Sequence, residues 1–424
     1  MRVSKRLSAA AAAVAVALVL SGCGESTSSS QGPGVKDNNS GTDNPTLPTQ
    51  FDEAALVSNL VNNVLTPAIE QFNELAVTQQ LEVASYCSAE KVLAENTAGL
   101  KQNAQQSWRN AMVGWQYVEL MQMGPLIANS KELKNNIYVW PATGSLCDID
   151  LDVVYFEDGV INGNASNPYN ISERTANRKG LTALEHLLFN ANLDHNCSSV
   201  NDALAPWNSR STQERAVARC EFATEVAKDI EAQSNILLSQ WTGENGYAAK
   251  LVNAGQPGSP FDTPHLALNE ISKALFYMTE ELKDGKIATP LGLGFPNACG
   301  LEACPKAVES PIAEHSKENL LANIRAFRNI FTGNGQDAEN TLGFDDFLDA
   351  ENGSDVKERM LAGLADAEAT LLAMNASLKA ELAGSTEQVT QTHTDVKKVT
   401  DDLKTEFIEK LALELPQTSA GDND

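Results

Sequence analysis

The stretch Gly180-Leu-Thr-Ala-Leu-Glu-His-Leu-Leu-Phe-Asn190 sets a carboxylate and an imidazole side by side in an aliphatic run. In a helix, residues three and four apart share a face, so Glu185 falls with Leu181, Thr182, Leu188 and Phe189 rather than among solvated neighbours. A carboxylate on an apolar stripe requires a partner, a proton or a metal ion. Three further clusters carry comparable chemistry. Trp108, Met112, Trp115 and Glu119 recur at helical spacing and put two indoles and a carboxylate on one face. Trp140-Pro141 is the second. Glu309-Ser-Pro-Ile-Ala-Glu314-His315 is the third, with two carboxylates and an imidazole just ahead of Ser316, where a helix can be capped. The first and last also have plain structural accounts, as a buried stripe ending in a solvated glutamate and as acids that favour a helix start. His195, His265 and His393 have no acidic or histidine partner at ligand-like helical spacing and read as surface or structural residues. There is no His-Glu-x-x-His, nucleophile elbow or phosphate-binding glycine loop, so the strong enzyme signatures are absent.

The elements that would hold these residues are helices. Phe51 to about Gln80 carries Leu56, Leu60, Val64, Ile69, Phe72 and Leu75, with Pro67 as an expected kink. A second helical stretch runs from Ser88 to Met123 and stops at Gly124-Pro125. From about Ile137 to Asn167, aromatic and β-branched residues alternate with Pro, Gly and Asp, which predicts an irregular excursion with one short hairpin. Helical pattern returns over Ser172–Asn190. Ser211-Thr-Gln-Glu214 is a capping box that opens a helix running to about Trp241. Asn253–Pro264 is rich in Gly, Pro and Ser and marks a domain boundary, with Thr263-Pro264 starting the next helix. Further helices are predicted over Pro264–Asp284, Ser316–Phe331, Ser354–Ala383 and Glu387–Leu415. Leu320, Ile324, Phe327 and Phe331 form an apolar stripe in the second of these. The expectation is an all-α chain of two bundle-like domains, 51–255 and 256–415, with a cleft between them and a tail over 416–424.

Three cations in the first six residues, an Ala/Val/Leu run and Leu20-Ser-Gly-Cys23 form a lipoprotein leader over 1–22. Cys23 is its expected lipidated residue, with 23–50 as a flexible Ser/Gly/Asn/Pro tether. No Asp follows Cys23 directly, which points to a lipid anchor in the outer membrane of the cell envelope. Against 31 Lys and Arg stand 56 Asp and Glu, a net charge of −25, so nucleic acid and anionic lipid are poor partners. Cations, basic peptides and other envelope proteins suit such a surface better. With Cys23 acylated, Cys87, Cys147, Cys197, Cys220, Cys299 and Cys304 make an even set in an oxidising compartment. Proximity favours Cys197 with Cys220 and Cys299 with Cys304, leaving Cys87 for Cys147, and no Cys-x-x-Cys pair suggests a thiolate metal site.

The lipobox, SWRNAMVGWQYVE followed by MGP, YVWP, KGLTALEHLLF, ISKALFYMTEELKDGKIATPLG, ESPIAEHSKENLLANIRAFRNIFTG and GFDDFL occur in one order. Together, over roughly Phe51 to Leu415, they resemble the imelysin family of bacterial envelope lipoproteins. The resemblance implies two all-α domains related by pseudo-symmetry, a site where they meet, and a role in metallopeptidase or iron-uptake chemistry. The family hallmark is Gly-x-His-x-x-Glu; Gly180 and Glu185 match its ends, and Thr182 stands where the histidine belongs. Hydroxyl is a poor zinc ligand beside imidazole. The expected cleft set is Trp108, Glu119, Trp140, Thr182 and Glu185 facing Glu309, Glu314, His315 and Arg325. Glu185 and His315 are its candidate ligands for a divalent or iron cation. The reading is an envelope protein that binds a metal ion or a cationic, iron-related ligand; a zinc metallopeptidase is the alternative, and a purely structural role predicts no ligand. His186, about 100° around the helix from Glu185, is assigned to packing.

Overall fold

The computed structural model describes residues 51–198, 202–334 and 341–416. The expected leader 1–22, Cys23, the tether 23–50 and nearly all of the tail 416–424 lie outside the described residues. The described chain is all-α: it forms no strand beyond two isolated bridges, Val160 with Pro168 and Asn297 with Gly300. No described helix is long and apolar enough to cross a membrane.

Helix α1 (Glu53–Asn59) passes through a wider turn at Leu60–Leu65 into α2 (Thr66–Val92). Pro67 sits in the first turn of α2, where a missing N–H costs little. Leu93 ends α2 in the left-handed conformation, so the long helix predicted from Ser88 breaks here before α3 (Thr97–Glu119). There follow α4 (Ala128–Ile137), α5 (Leu146–Asp158) and α6 (Gly180–Phe189). Helix α7 (Thr212–Thr242) begins at the Ser211/Glu214 capping box, as the sequence predicts. Helices α2, α3, α6 and α7 pack side by side.

Beyond α8 (Tyr247–Val252), Thr263 caps α9 (Pro264–Ser272) by accepting from the Leu266 N–H. A wide-turned helical segment, Met278–Ala288, leads into α10 (Thr289–Leu291). Helix α11 (Ser316–Thr332) lies across α3 and carries the predicted stripe Leu320, Ile324, Phe327 and Phe331, all buried. Then come α12 (Phe344–Ala350), α13 (Ser354–Ala373), α14 (Leu378–Gly384), α15 (Glu387–Asp402) and α16 (Ile408–Leu411). The single helix predicted over 354–383 is broken because Ser377 caps a new start, its hydroxyl accepting from the Ala380 N–H. The start of the described chain packs against its second half: Phe51 stacks on Phe347, and the Asn59 amide donates to the carbonyls of Gly333 and Leu342.

Two further expectations fail for identifiable reasons. The segment predicted to be irregular over 137–167 contains α5. Its buried Asp150 and Asp152 disguise the apolar face, and they are tolerated there because Arg174, Arg178 and Arg219 neutralise them and His186 shares a hydrogen bond with Asp150. The disulfides are Cys87–Cys220, Cys147–Cys197 and Cys299–Cys304, so only the last agrees with pairing by proximity. The first joins the neighbouring helices α2 and α7; lateral packing, not chain separation, decides the partner.

Candidate functional site

Helix α6 is buried along almost its whole length. It starts at Gly180 with φ +70°, and a Cβ there would lie 2.6 Å from the Ile137 carbonyl oxygen. Glycine therefore brings the start of α6 against the backbone that leads to Tyr138 and Trp140. The Trp108 indole N–H fixes the same end by donating to the Leu181 carbonyl at 2.9 Å.

Thr182 and Glu185, one turn apart, face a pocket of about 550 Å³. Tyr138, Trp140, Pro141 and Leu146 line it together with Gly285, Thr289 and residues 306–308 and 310–312. Among the described residues, Glu185 is the pocket's only acidic lining residue and Lys306 its only basic one. Glu185 is 4% exposed, and its Oε1 accepts from the N–H groups of Ile312 (2.9 Å) and Ala313 (2.8 Å). Its Oε2 accepts no hydrogen bond from the described residues, and the buried Thr182 Oγ1 has no partner among them either. Burial raises the Glu185 carboxyl to about 7, with Glu309 adding to the rise and the two N–H groups and Lys379 opposing it. The pocket thus presents two acceptors among aromatic and aliphatic lining residues.

A second set of polar groups lies behind the wall. Lys286 Nζ is 3.0 Å from Glu309 Oε1, 3.2 Å from Glu119 Oε2 and 2.5 Å from Gln116 Oε1. Asn323 Oδ1 is 3.0 Å away. Tyr138 donates to Glu309 at 2.9 Å, and Lys134 approaches the other oxygen of Glu119 at 3.5 Å. Burial opposes charge on Glu119, but Lys286 and Lys134 outweigh it and hold the carboxyl below its ordinary value. Burial and the carboxylates of Glu309 and Glu119 push the Tyr138 phenol well up, so it stays a donor.

The predicted site residues divide accordingly. Trp140, Thr182 and Glu185 line the pocket; Glu119 and Glu309 sit one layer behind, around Lys286. Trp108 is fully buried, and His315 packs edge-on against it at 5.8 Å. Burial and Arg109 lower His315 to about 4, so it is a neutral core group. Glu314 is brought out instead to Ser377 and Lys379. Arg325 lies on the outer face of α11 and pairs with Glu368 at 2.8 Å. Neither belongs to the pocket, because the turn ahead of α11 and the outer face of that helix direct them to partners on α13 and the start of α14. His186 is turned away onto Asp150 Oδ1 (2.9 Å), which also receives Arg219 (3.2 Å). Gln116, Tyr138, Lys286 and Asn323 escape the sequence reading. All four lie inside the stretches that carry the family resemblance, Gln116 in SWRNAMVGWQYVE, Tyr138 in YVWP, Lys286 in ISKALFYMTEELKDGKIATPLG and Asn323 in ESPIAEHSKENLLANIRAFRNIFTG.

A tetrahedral zinc site needs three or four good donors. Among the described residues no group of three or more His, Cys, Asp or Glu side chains is placed to hold a metal ion. Thr182 replaces the hallmark histidine, Glu185 has one oxygen committed to backbone, and His186 and His315 are held elsewhere. The donor set that the metallopeptidase resemblance implies does not fit this chain.

A family model described as Imelysin matches residues 68–406. Iron-regulated protein A of Synechococcus elongatus is 23% identical over 244 residues, which is 57% of this chain and 55% of that protein. The chain thus spans about half the length of the curated relative it matches. A crystal structure from Parabacteroides distasonis, provisionally designated an iron-regulated protein A precursor, superposes with a TM-score of 0.63 at 16% identity, covering 88% of this chain and 98% of that one. An imelysin-like protein from Psychrobacter arcticum gives 0.63 at 14% identity, covering 87% and 99%. At such identities the structural likeness concerns the fold.

Proposed function

The chain belongs to the imelysin family, and from that premise we propose that it is an envelope-anchored binding protein that holds a small cationic ligand in the pocket beside Glu185. The observation that carries the reading is a pair of oxygens that receive no hydrogen bond from the described residues, Glu185 Oε2 and Thr182 Oγ1, on two residues that line a pocket shared with Tyr138 and Trp140. A carboxylate oxygen and a hydroxyl that the protein leaves open call for donors from a ligand or water, and a lone carboxylate in a low-dielectric wall favours a single positive charge. The stem of such a ligand would lie along Trp140 and Tyr138, whose rings attract cations and cover apolar surface. The iron-regulated naming of the relatives supports a ligand connected with iron handling. Anchoring through an acylated Cys23 would place the pocket at the membrane surface. The zinc metallopeptidase reading lacks its ligands here.

Native mass spectrometry and elemental analysis of protein purified without chelators test the proposal. A retained organic mass that is lost in Glu185→Gln supports it. Stoichiometric zinc with chelator-sensitive peptide hydrolysis would overturn it in favour of the peptidase. Intact-mass analysis of the mature chain tests the anchor, and an unmodified Cys23 would remove it.

A further inference from the structure

Lys286 is 1% exposed, and its Nζ faces four side-chain oxygens from three parts of the chain at 2.5–3.2 Å: Gln116, Glu119, Glu309 and Asn323. The rings of Tyr277 and Trp140 add their faces, with centroids 5.4 and 5.5 Å from Nζ. An ammonium has three hydrogens to donate, so the shell offers more oxygens than a lysine can use. All four oxygen-bearing side chains are buried. Two carboxylates, two amide oxygens and two aromatic faces around one point compose a coordination shell for a weakly hydrated univalent cation, wider than the roughly 2.3–2.6 Å shell of Ca²⁺.

We propose that this shell is a univalent-cation site which the chain fills from within, with Lys286 as the resident cation joining α3, α11 and the 309–315 turn. Two consequences follow. With Lys134 beside Glu119, the two carboxylates are matched by two ammonium groups, so the junction needs no metal ion to hold together. The pocket on the other side of Trp140 and Tyr138 is also left with Glu185 as its only anion, because Glu119 and Glu309 are spent on Lys286. The inference does not depend on the pocket's ligand: it concerns the shell alone.

The test is truncation followed by chemical rescue. Lys286→Ala removes the atoms of one propylammonium ion and leaves two buried carboxylates short of a counter-charge. Its melting temperature should fall by at least about 5 °C. Propylammonium chloride should restore half or more of the loss, with potassium or ammonium restoring less, and tetramethylammonium, which has no N–H, none. Propylammonium should leave the melting temperature of the wild type unchanged. If Lys286→Ala does not fold, the triple variant Lys286→Met, Glu119→Gln, Glu309→Gln, which removes both carboxylates with the cation and leaves Lys134 bonded to the Trp140 carbonyl, should. Wild-type melting should also be indifferent to a chelator. Rescue by no univalent cation, a Lys286→Met variant as stable as the wild type, a triple variant no better folded than Lys286→Met alone, or a chelator-induced drop in wild-type stability would each overturn the proposal.

Discussion

Replacing Glu185 by glutamine should strengthen the ligand-free fold above neutral pH and remove capture of a cation. The Glu185 carboxyl titrates near 7 in the folded chain, against an ordinary 4.5. Between these values the folded protein keeps a proton that the unfolded chain has released. The stabilising contribution is therefore complete below about pH 4.5 and declines as pH rises through about 7. The gap amounts to about 3 kcal/mol once the carboxylate is fully charged. The amide of the Glu185→Gln variant retains an oxygen to accept from the Ile312 and Ala313 N–H groups and carries no charge, so the variant's stability lacks this slope. Denaturant unfolding across pH should show the two proteins alike near about pH 4.5 and the variant ahead by up to about 3 kcal/mol near about pH 8, or about 4 °C in melting temperature for a chain of this size.

Binding should run the other way. A cationic ligand requires the charged carboxylate, so wild-type affinity should rise about tenfold per pH unit below 7 and level off above it. Tryptophan fluorescence is a suitable reporter, since Trp140 lines the pocket. Parallel pH–stability curves for wild type and Glu185→Gln would show that the carboxylate is solvated and would refute the burial argument at its root. A variant that gains stability and still binds with the wild-type pH profile would refute the ligand assignment alone.

Other substitutions separate architecture from site. His186→Ala deprives the buried Asp150 of its imidazole partner and should cost roughly 2–4 kcal/mol in denaturant unfolding, with ligand affinity per folded molecule unchanged. Gly180→Ala places a Cβ against the Ile137 carbonyl at a left-handed backbone position, and should cost about 1–3 kcal/mol while weakening binding through the displaced Tyr138 wall. Thr182→His restores the hallmark imidazole one turn before Glu185; elemental analysis should find more retained zinc than in the wild type, and peptide-hydrolysis assays should find no activity, because a third protein donor is still missing.

What the sequence disclosed and what it withheld have physical causes. The helices were legible because their buried stripes recur at helical spacing, as Leu320, Ile324, Phe327 and Phe331 do, and because Ser211 and Thr263 announce starts by satisfying N–H groups that any helix leaves open. Helix α5 was hidden by acids that are apolar-face residues only because arginines far along the chain meet them. Lys286 was hidden for two reasons: it lies in a wide-turned segment that breaks the helical period, and its partner Gln116 is 170 residues away. Glu119 and Glu185 sharpen the point. By pattern they are the same feature, a carboxylate on an apolar helix stripe that must find a partner. The fold gives one of them two lysines and the other two backbone N–H groups, and their carboxyls move in opposite directions from the ordinary value. A buried acid in a sequence therefore predicts that a partner exists. Whether the acid ends as a structural anion or as a pocket-lining acceptor depends on which distant residue the packing delivers, and for Glu185 the packing delivered two N–H groups to Oε1 and no donor from the described residues to Oε2.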